Sequence, residues 1–318
     1  MNILIYGAGA VGLGLASCLL KAEQQVDLIG RKSTSHALHQ HGLQRTGLFG
    51  DFHSPPSQFG ACVALNDLPD KVYDFILVCT KSFDSPAAAR DLAPFVKDAP
   101  TSVVLCQNGW GNAEIFSKLI SKDQIKNARI ITGFLRPQKH QVAITVHADA
   151  IHLGTLFSAD NSDESTTDLL PLASAIEQGG IPCSVTPTIG QDLWAKMLYN
   201  CMLNGLSTLF NVPYGVLGES PYTRDIMQAI AHEVFAVMAA DGHRTHWPTA
   251  PDYLDAFYQQ QLPPTRKHEP SMLQDIRAGK KTEIDALNGA IVTLGKEYGI
   301  PVPINTTLHQ MIKFLQPA

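Results

Sequence analysis

Gly7-Ala8-Gly9-Ala10-Val11-Gly12 directly follows the apolar run Ile3–Tyr6 and opens the helical pattern Val11–Leu20. In that setting G-x-G-x-x-G has a defined chemical use. The first glycine permits a tight turn, the second lets backbone approach a pyrophosphate, and the third lets the helix pack closely with its N-terminus facing the anion. Alone, such a motif also fits a merely tight turn or another nucleotide; between a strand and a helix it reads as a dinucleotide loop. The end of the second strand separates the two nicotinamide cofactors, because an acid there hydrogen-bonds the ribose 2′-OH of NAD. Here that place holds Gly30-Arg31-Lys32-Ser33, and the nearest acid, Asp27, lies inside the strand ahead of Leu28-Ile29. The reading is therefore NADP, used as NADPH. Lys81 and Asn108 follow the next two strand-like runs, at the edge where open α/β sheets bind ligands.

A second constellation lies in the helical pattern Ile189–Phe210. At 100° per residue Lys196, Asn200, Asn204 and Ser207 share roughly one quarter of the circumference. Trp194, Met197, Leu198, Cys201 and Met202 take the opposite side. A polar stripe on an amphipathic helix ordinarily faces solvent. Two amides and one lysine, hemmed in by Leu193 and Leu203, make a narrow stripe that suits burial with defined partners. Farther on, Pro270-Ser271-Met272-Leu273-Gln274-Asp275 leads to Lys281-Thr282-Glu283-Ile284-Asp285. Thr282 and Asp285 have capping-box spacing, so a helix is expected to start there, with Asp285 serving its terminus and Glu283 in its first turn.

The glycine loop, Gln107-Asn108-Gly109, Lys196-x-x-x-Asn200-x-x-x-Asn204, and Ser271-Met272-Leu273-Gln274-Asp275 with Thr282-Glu283-Ile284-Asp285 together resemble the ketopantoate reductase family, over essentially the whole chain. The resemblance implies hydride transfer from NADPH to the C2 carbonyl of a 2-oxo acid between two domains, 2-dehydropantoate becoming pantoate in pantothenate biosynthesis. Lys196 would be the general acid, since an ammonium gives its proton to an oxygen on which negative charge develops, and desolvation can lower its pKa toward neutrality. Glu283 would orient Lys196 or contact the cofactor ribose. Asn108 would lie near nicotinamide and substrate, Asn200, Asn204 and Ser271 would hold the substrate's carboxylate and hydroxyl groups, and Arg31 and Lys81 would meet the extra phosphate. Two places depart from the family pattern: Gly133-Phe134-Leu135-Arg136-Pro137 replaces a Thr- and His-containing run, and Tyr214 stands near a position where asparagine is frequent. Arg136 is thus either a solvent-facing strand-end residue or a hook for a second substrate carboxylate. The alternatives are a D-2-hydroxyacid dehydrogenase acting on another branched or acidic 2-oxo acid and, more distantly, a non-catalytic NADPH-sensing module, which would have no use for Lys196 or Glu283.

The elements that must position these residues fall into two kinds. Short β-rich runs, Ile3–Tyr6, Val26–Ile29, Tyr73–Cys79, Ser102–Cys106 and Arg129–Thr132, alternate with helical patterns and predict a parallel, doubly wound Rossmann-type sheet. Val142–His147 and Ile151–Gly154 are expected to extend its edge antiparallel, and Ser158–Thr167 to form a surface loop. Beyond Thr188 the periodicity is helical: Ile189–Phe210, Pro221–Asp241, a segment around Pro251–Gln261, Thr282–Tyr298 and Asn305–Leu315, with Pro263-Pro264 marking a loop. The expectation is an NADP-binding domain over 1–187 and an all-α substrate and catalytic domain over 188–318, since 318 residues exceed one ordinary core.

A formal charge of -5 without a basic run leaves no footprint for nucleic acid or an anionic membrane. Six scattered cysteines read as reduced thiols, and none of the 12 histidines forms a metal-binding motif, so no metal is expected. Met1–Tyr6 enters the glycine loop as a strand, not as a leader, and no apolar run approaches 18 residues; a cytoplasmic location is expected, with a homodimer left open.

Overall fold

The computed structural model describes residues 1–157 and 163–317. The expected loop Ser158–Thr167 therefore lies partly outside the described residues; its later part belongs to a 3-10 segment, Asp163–Leu169. The chain divides into two compact units, Met1–Gln107 with Asn112–Ile189, and Asn108–Gly111 with Gly190–Ala318.

The first unit runs β1 (Asn2–Tyr6), α1 (Ala10–Lys21), β2 (Gln25–Ile29), α2 (Lys32–His41), β3 (Leu43–Gly47), β4 (Phe52–Ser54), β5 (Gly60–Cys62), β6 (Phe75–Val78), α3 (Ser85–Val96), β7 (Ser102–Leu105), α4 (Asn112–Ser117), β8 (Ile125–Arg129), β9 (Thr132–Leu135), β10 (Gln141–His147), β11 (Ile151–Gly154), α5 (Leu170–Gln178) and β12 (Cys183–Val185). Eight strands form one sheet in the order β12-β11-β8-β7-β6-β1-β2-β5. Successive residues of β1 face opposite sides: Ile3 and Ile5 join the core beneath α1 and α5, Leu4 the core beneath α3 and α4. Covering both faces is what lets a parallel strand be apolar throughout. The order reverses at β1, which pairs with β2 on one side and β6 on the other, so the glycine loop after β1 lies at the topological switch point.

Two strand expectations need correction. The strand expected at Arg129–Thr132 is β8, Ile125–Arg129, parallel to β7, and it ends where the apolar run Ile130-Ile131 begins. Of the two runs expected to extend the sheet edge, β11 does so, antiparallel to β8, but β10 belongs to a separate four-stranded sheet, β4-β3-β10-β9. The alternation in β10 is real, yet its partner β3 reads LQRTG and β4 only FHS, too polar and too short to announce a sheet. A fully buried Arg45 on β3 ties this sheet inward, donating to the Gly179 carbonyl at 2.9 Å and the Cys18 sulfur at 3.2 Å.

The second unit comprises α6 (Ile189–Phe210), α7 (Tyr214–Glu219), α8 (Pro221–Ala240), α9 (Ala250–Ala256), α10 (Leu262–Thr265), α11 (Ser271–Arg277), α12 (Asn288–Tyr298) and α13 (Pro303–Leu315). Helix α6 is central. Asn288 on α12 donates to the Cys201 carbonyl at 3.1 Å, and Leu308 on α13 fills the space above Gly205, where an added Cβ would lie 2.8 Å from it. The Pro263-Pro264 loop is corrected to α10, which continues the helical turn Phe257–Gln261 without a break. The helix expected from Thr282 begins at Asn288, after a 3-10 turn over Ile284–Ala286. Among the described residues no helix is long and apolar enough to cross a membrane.

Candidate active site

In the first unit, Gly7 has φ +114°, and an added Cβ would sit 2.7 Å from the Thr80 backbone nitrogen. At Gly12 it would meet the Gly7 carbonyl at 2.2 Å, so the start of α1 and the loop touch backbone to backbone. Gly9 differs: the nearest atom to its added Cβ is 3.9 Å away, leaving open the face that a ligand backbone contact needs. The Gly7 and Ala8 amides are used internally, both donating to the Ile29 carbonyl. Helix α1, opened by Ala10 and Val11, has no side-chain cap and no acid in its first turn. Open space, uncapped N–H groups and the positive end of a helix dipole suit a pyrophosphate.

Arg31 is exposed at the N-cap position of α2, one residue beyond Gly30. Asp27 is buried, and its carboxylate receives the Tyr73 hydroxyl and the Lys71 ammonium, both at 2.7 Å. The acid nearest in the chain to the strand end is thereby committed to structure. Lys81 follows β6, its carbonyl accepting from the Gln107 amide, which also donates to Ser85 at 2.8 Å. Arg136 is singled out by the sequence without its partners: its Nη1 donates to the Ala8 carbonyl and its Nη2 to the Thr34 hydroxyl, each at 3.0 Å. Arg136 is therefore not a free solvent-facing residue, and its two bonds leave other guanidinium donors open. Phe134, from the same unusual segment, lies over Gly14 of α1, where an added Cβ would be 2.3 Å from its ring.

In the second unit the Lys196 ammonium donates to Asn108 Oδ1 at 2.7 Å, and Asn108 Nδ2 donates to Glu283 Oε2 at 3.3 Å. The amide orientation is dictated by its neighbours, because ammonium has only donors and carboxylate only acceptors. Three distant segments thus converge on one side chain. The segment Asn108–Gly111 is held by Ala286, whose carbonyl accepts from the Trp110 amide at 2.9 Å. Gly109, at φ +91°, allows that approach, since a Cβ there would lie 2.3 Å from the same carbonyl. Trp110 also packs on Trp194 of α6, ring centroids 4.5 Å apart, two residues before Lys196. Glu283 is 7% exposed.

The rest of the α6 stripe behaves unevenly. Lys196 and Asn200 are half-buried, Asn204 and Ser207 buried. Tyr214 donates its hydroxyl to Asn204 Oδ1 at 2.6 Å, and burial pushes the pKa of that phenol well up, so it remains the donor. Asn204 therefore has its Nδ2 group left to offer a ligand. Ser207 donates to the Val212 carbonyl and serves the local turn. Ser271 is exposed at the first residue of α11. The capping-box reading of Asp285 is overturned: its carboxylate takes His309 at 2.8 Å and Lys313 at 2.9 Å, both from α13, while Thr282 bonds Gln316 at 3.0 Å. Sequence spacing could not weigh those partners against a local cap.

Residues 3–156 match the family described as "Ketopantoate reductase PanE/ApbA", and residues 188–316 its C-terminal counterpart. The 2-dehydropantoate 2-reductase of Aquifex aeolicus is 33% identical over 314 residues, covering 98% of this chain and 96% of its own. Among solved structures, the 2-dehydropantoate 2-reductase of Geobacter metallireducens superposes with a TM-score of 0.85 at 25% identity, over 99% of both chains. A D-mandelate dehydrogenase solved with NADH and anilino(oxo)acetate shares the fold, with a TM-score of 0.85 at 24% identity over 99% of this chain and 98% of its own.

Proposed function

Because the chain belongs to the ketopantoate reductase family, we propose that it reduces the C2 carbonyl of 2-dehydropantoate to the hydroxyl of pantoate with NADPH. The observation that carries the chemistry is the Lys196–Asn108–Glu283 chain of hydrogen bonds. NADPH, when bound, supplies a hydride to C2 of the 2-oxo acid. Lys196 places the second hydrogen, as a proton, on the carbonyl oxygen while the C=O π electrons move onto that oxygen. Asn108 accepts from Lys196 and holds Nζ in one direction; Glu283 fixes Asn108 from behind. An ammonium held there brings positive charge to the oxygen on which the alkoxide develops. Asn200, the Nδ2 group of Asn204 and Ser271 are assigned to the substrate's carboxylate and hydroxyls.

The cofactor assignment rests on the Gly7–Gly12 loop, on Arg31 at the strand end with Lys81 assisting, and on an Asp27 that is engaged by Tyr73 and Lys71. Arg31→Ala should raise the KM for NADPH and narrow its margin over NADH; wild-type protein that used NADH equally well would remove NADP from the reading. The substrate is tested by measuring kcat/KM for 2-dehydropantoate, 2-oxoisovalerate and 2-oxoglutarate in one buffer. A pocket that bonds a substrate hydroxyl rejects an analogue lacking it by roughly 10⁴–10⁵, against about 10–200-fold for an apolar pocket. 2-Dehydropantoate should lead by well over a hundredfold, about 10² being what an apolar pocket alone reaches. Preference for 2-oxoisovalerate or 2-oxoglutarate would transfer the chain to the 2-hydroxyacid dehydrogenases with its reductase chemistry intact. We assign the protein to a reducing compartment, the cytoplasm, a reading supported by its free cysteines.

A further inference from the structure

Two arginines of the first unit bond only uncharged acceptors, and they differ in what they leave over. Arg45 is sealed in: carbonyls of Gly50, Phe49 and Gly179, the Ser17 hydroxyl and the Cys18 sulfur surround its guanidinium. Arg136 has two bonds, one to the Ala8 carbonyl in the glycine loop and one to Thr34 in the first turn of α2. A guanidinium has five N–H donors, so most of its capacity is open. Thr34 in turn donates its amide to the Arg31 carbonyl at 2.7 Å, which puts the two arginines within one helical turn of each other's anchor. Burial, and then the charge of Arg31, both press the Arg136 pKa down. Among the described residues no carboxylate pairs with either arginine, and Asp27 is engaged elsewhere.

Placing two like charges together without a counterion is unfavourable unless an anion arrives between them. The glycine loop receives the pyrophosphate, and α2 begins where the adenosine ribose of a dinucleotide ends. Arg136 bridges those two places. We propose that Arg136 is a specificity residue for the cofactor, closing on the adenosine 2′-phosphate from the β9–β10 hairpin while Arg31 meets it from the β2–α2 turn. Two guanidiniums match a dianionic phosphate, and their planar donors suit its oxygens. The inference rests on the NADP reading above, and it gives the unusual Gly133–Pro137 segment a purpose on the cofactor side.

The test is calorimetric titration of the substrate-free protein with NADPH and with NADH, for wild type, Arg136→Gln and Arg136→Lys. Wild type should bind NADPH at least about tenfold more tightly, the scale of one charge-assisted hydrogen bond. Arg136→Gln should weaken NADPH by about tenfold or more while NADH changes less than about twofold, and Arg136→Lys should fall between. Equal weakening of both cofactors, or of neither, would reduce Arg136 to a strap between loop and helix and overturn the proposal, the NADP reading surviving. Wild type that binds both cofactors alike would instead sink the NADP reading itself. Should the glutamine variant fail to fold, phenylglyoxal modification of wild type with peptide mapping decides: adenosine 2′,5′-bisphosphate should shield Arg136 and Arg31 where 5′-AMP does not. Equal labelling of Arg136 under both ligands would overturn the assignment.

Discussion

The glycine loop of the first unit and the Lys196 cluster of the second are both built to place polar groups, but from opposite materials. The loop is backbone: six consecutive residues, a turn at Gly7, contact between Gly7 and Gly12, and space left at Gly9. The cluster is side chain: Asn108, Lys196 and Glu283 come from segments 88 and 175 residues apart and meet through hydrogen bonds at 2.7 and 3.3 Å. A backbone site fails sterically, through binding. A side-chain site fails chemically, through turnover. The difference can be broken or sharpened by substitutions that should separate kcat from cofactor affinity.

The largest effect is expected at Lys196. Lys196→Ala should lower kcat by on the order of 10²–10⁴, the usual worth of a positioned general acid, while the Kd for NADPH measured by fluorescence titration moves little. A variant turning over near the wild-type rate would take Lys196 out of the reaction. Asn108→Ala should cost less, about 10–10² in kcat, because it removes one bond that orients the ammonium while leaving its charge in place. If kcat were untouched, the chain from Glu283 to Lys196 would be structural only. Gly12→Ala should act the other way round. Its Cβ, 2.2 Å from the Gly7 carbonyl, forces the loop to move, at about 1–3 kcal/mol of stability, and NADPH affinity should drop roughly tenfold with kcat at saturation largely kept. An equal fall in kcat would erase the contrast between the two materials.

The smallest effect tests the frame behind the cluster. Burial works to raise the pKa of Asp285, but hydrogen bonds from His309 and Lys313 outweigh it and hold the carboxyl below its ordinary value. A carboxylate lowered in this way stabilises the fold at pH above the unfolded value, and the contribution disappears as pH falls through the native one. Asp285→Asn should therefore lower stability at pH 7 by about 0.2–1 kcal/mol, the scale of a solvent-screened pair, and by nothing measurable at pH 2. Denaturation at both pH values reads it directly; an identical deficit at each would assign the loss to packing.

Local features were legible in the sequence and long-range ones were not. Helix α6 has the bounds its periodicity predicts, Ile189–Phe210, and the strand before the glycine loop stands where its apolar run places it, because both signals lie within one continuous segment. The second sheet escaped notice because β3 is polar and the parallel pairing of β3 with β10 joins residues far apart in the chain. Asp285 misled for the same reason: a cap at three-residue spacing is visible, whereas partners 24 and 28 residues ahead are not. Arg136 is the plainest case. Its segment stood out as unusual, but Ala8 and Thr34 lie 128 and 102 residues away, and nothing in the local pattern names them.

The four residues Asn108–Gly111 have a consequence for anyone who would shuffle this scaffold. They pack with the second unit although the chain on either side belongs to the first, so the polypeptide passes between the units three times, not once. The units are therefore not cassettes separable at a single joint. A chimaera that exchanged only the C-terminal half for a relative's would leave this chain's Asn108 to meet a foreign lysine, and this chain's Gly109 and Trp110 to meet a foreign counterpart of Ala286. Recombination that respects the interlock must carry the tetrapeptide together with the helices, as one heritable block written in two places.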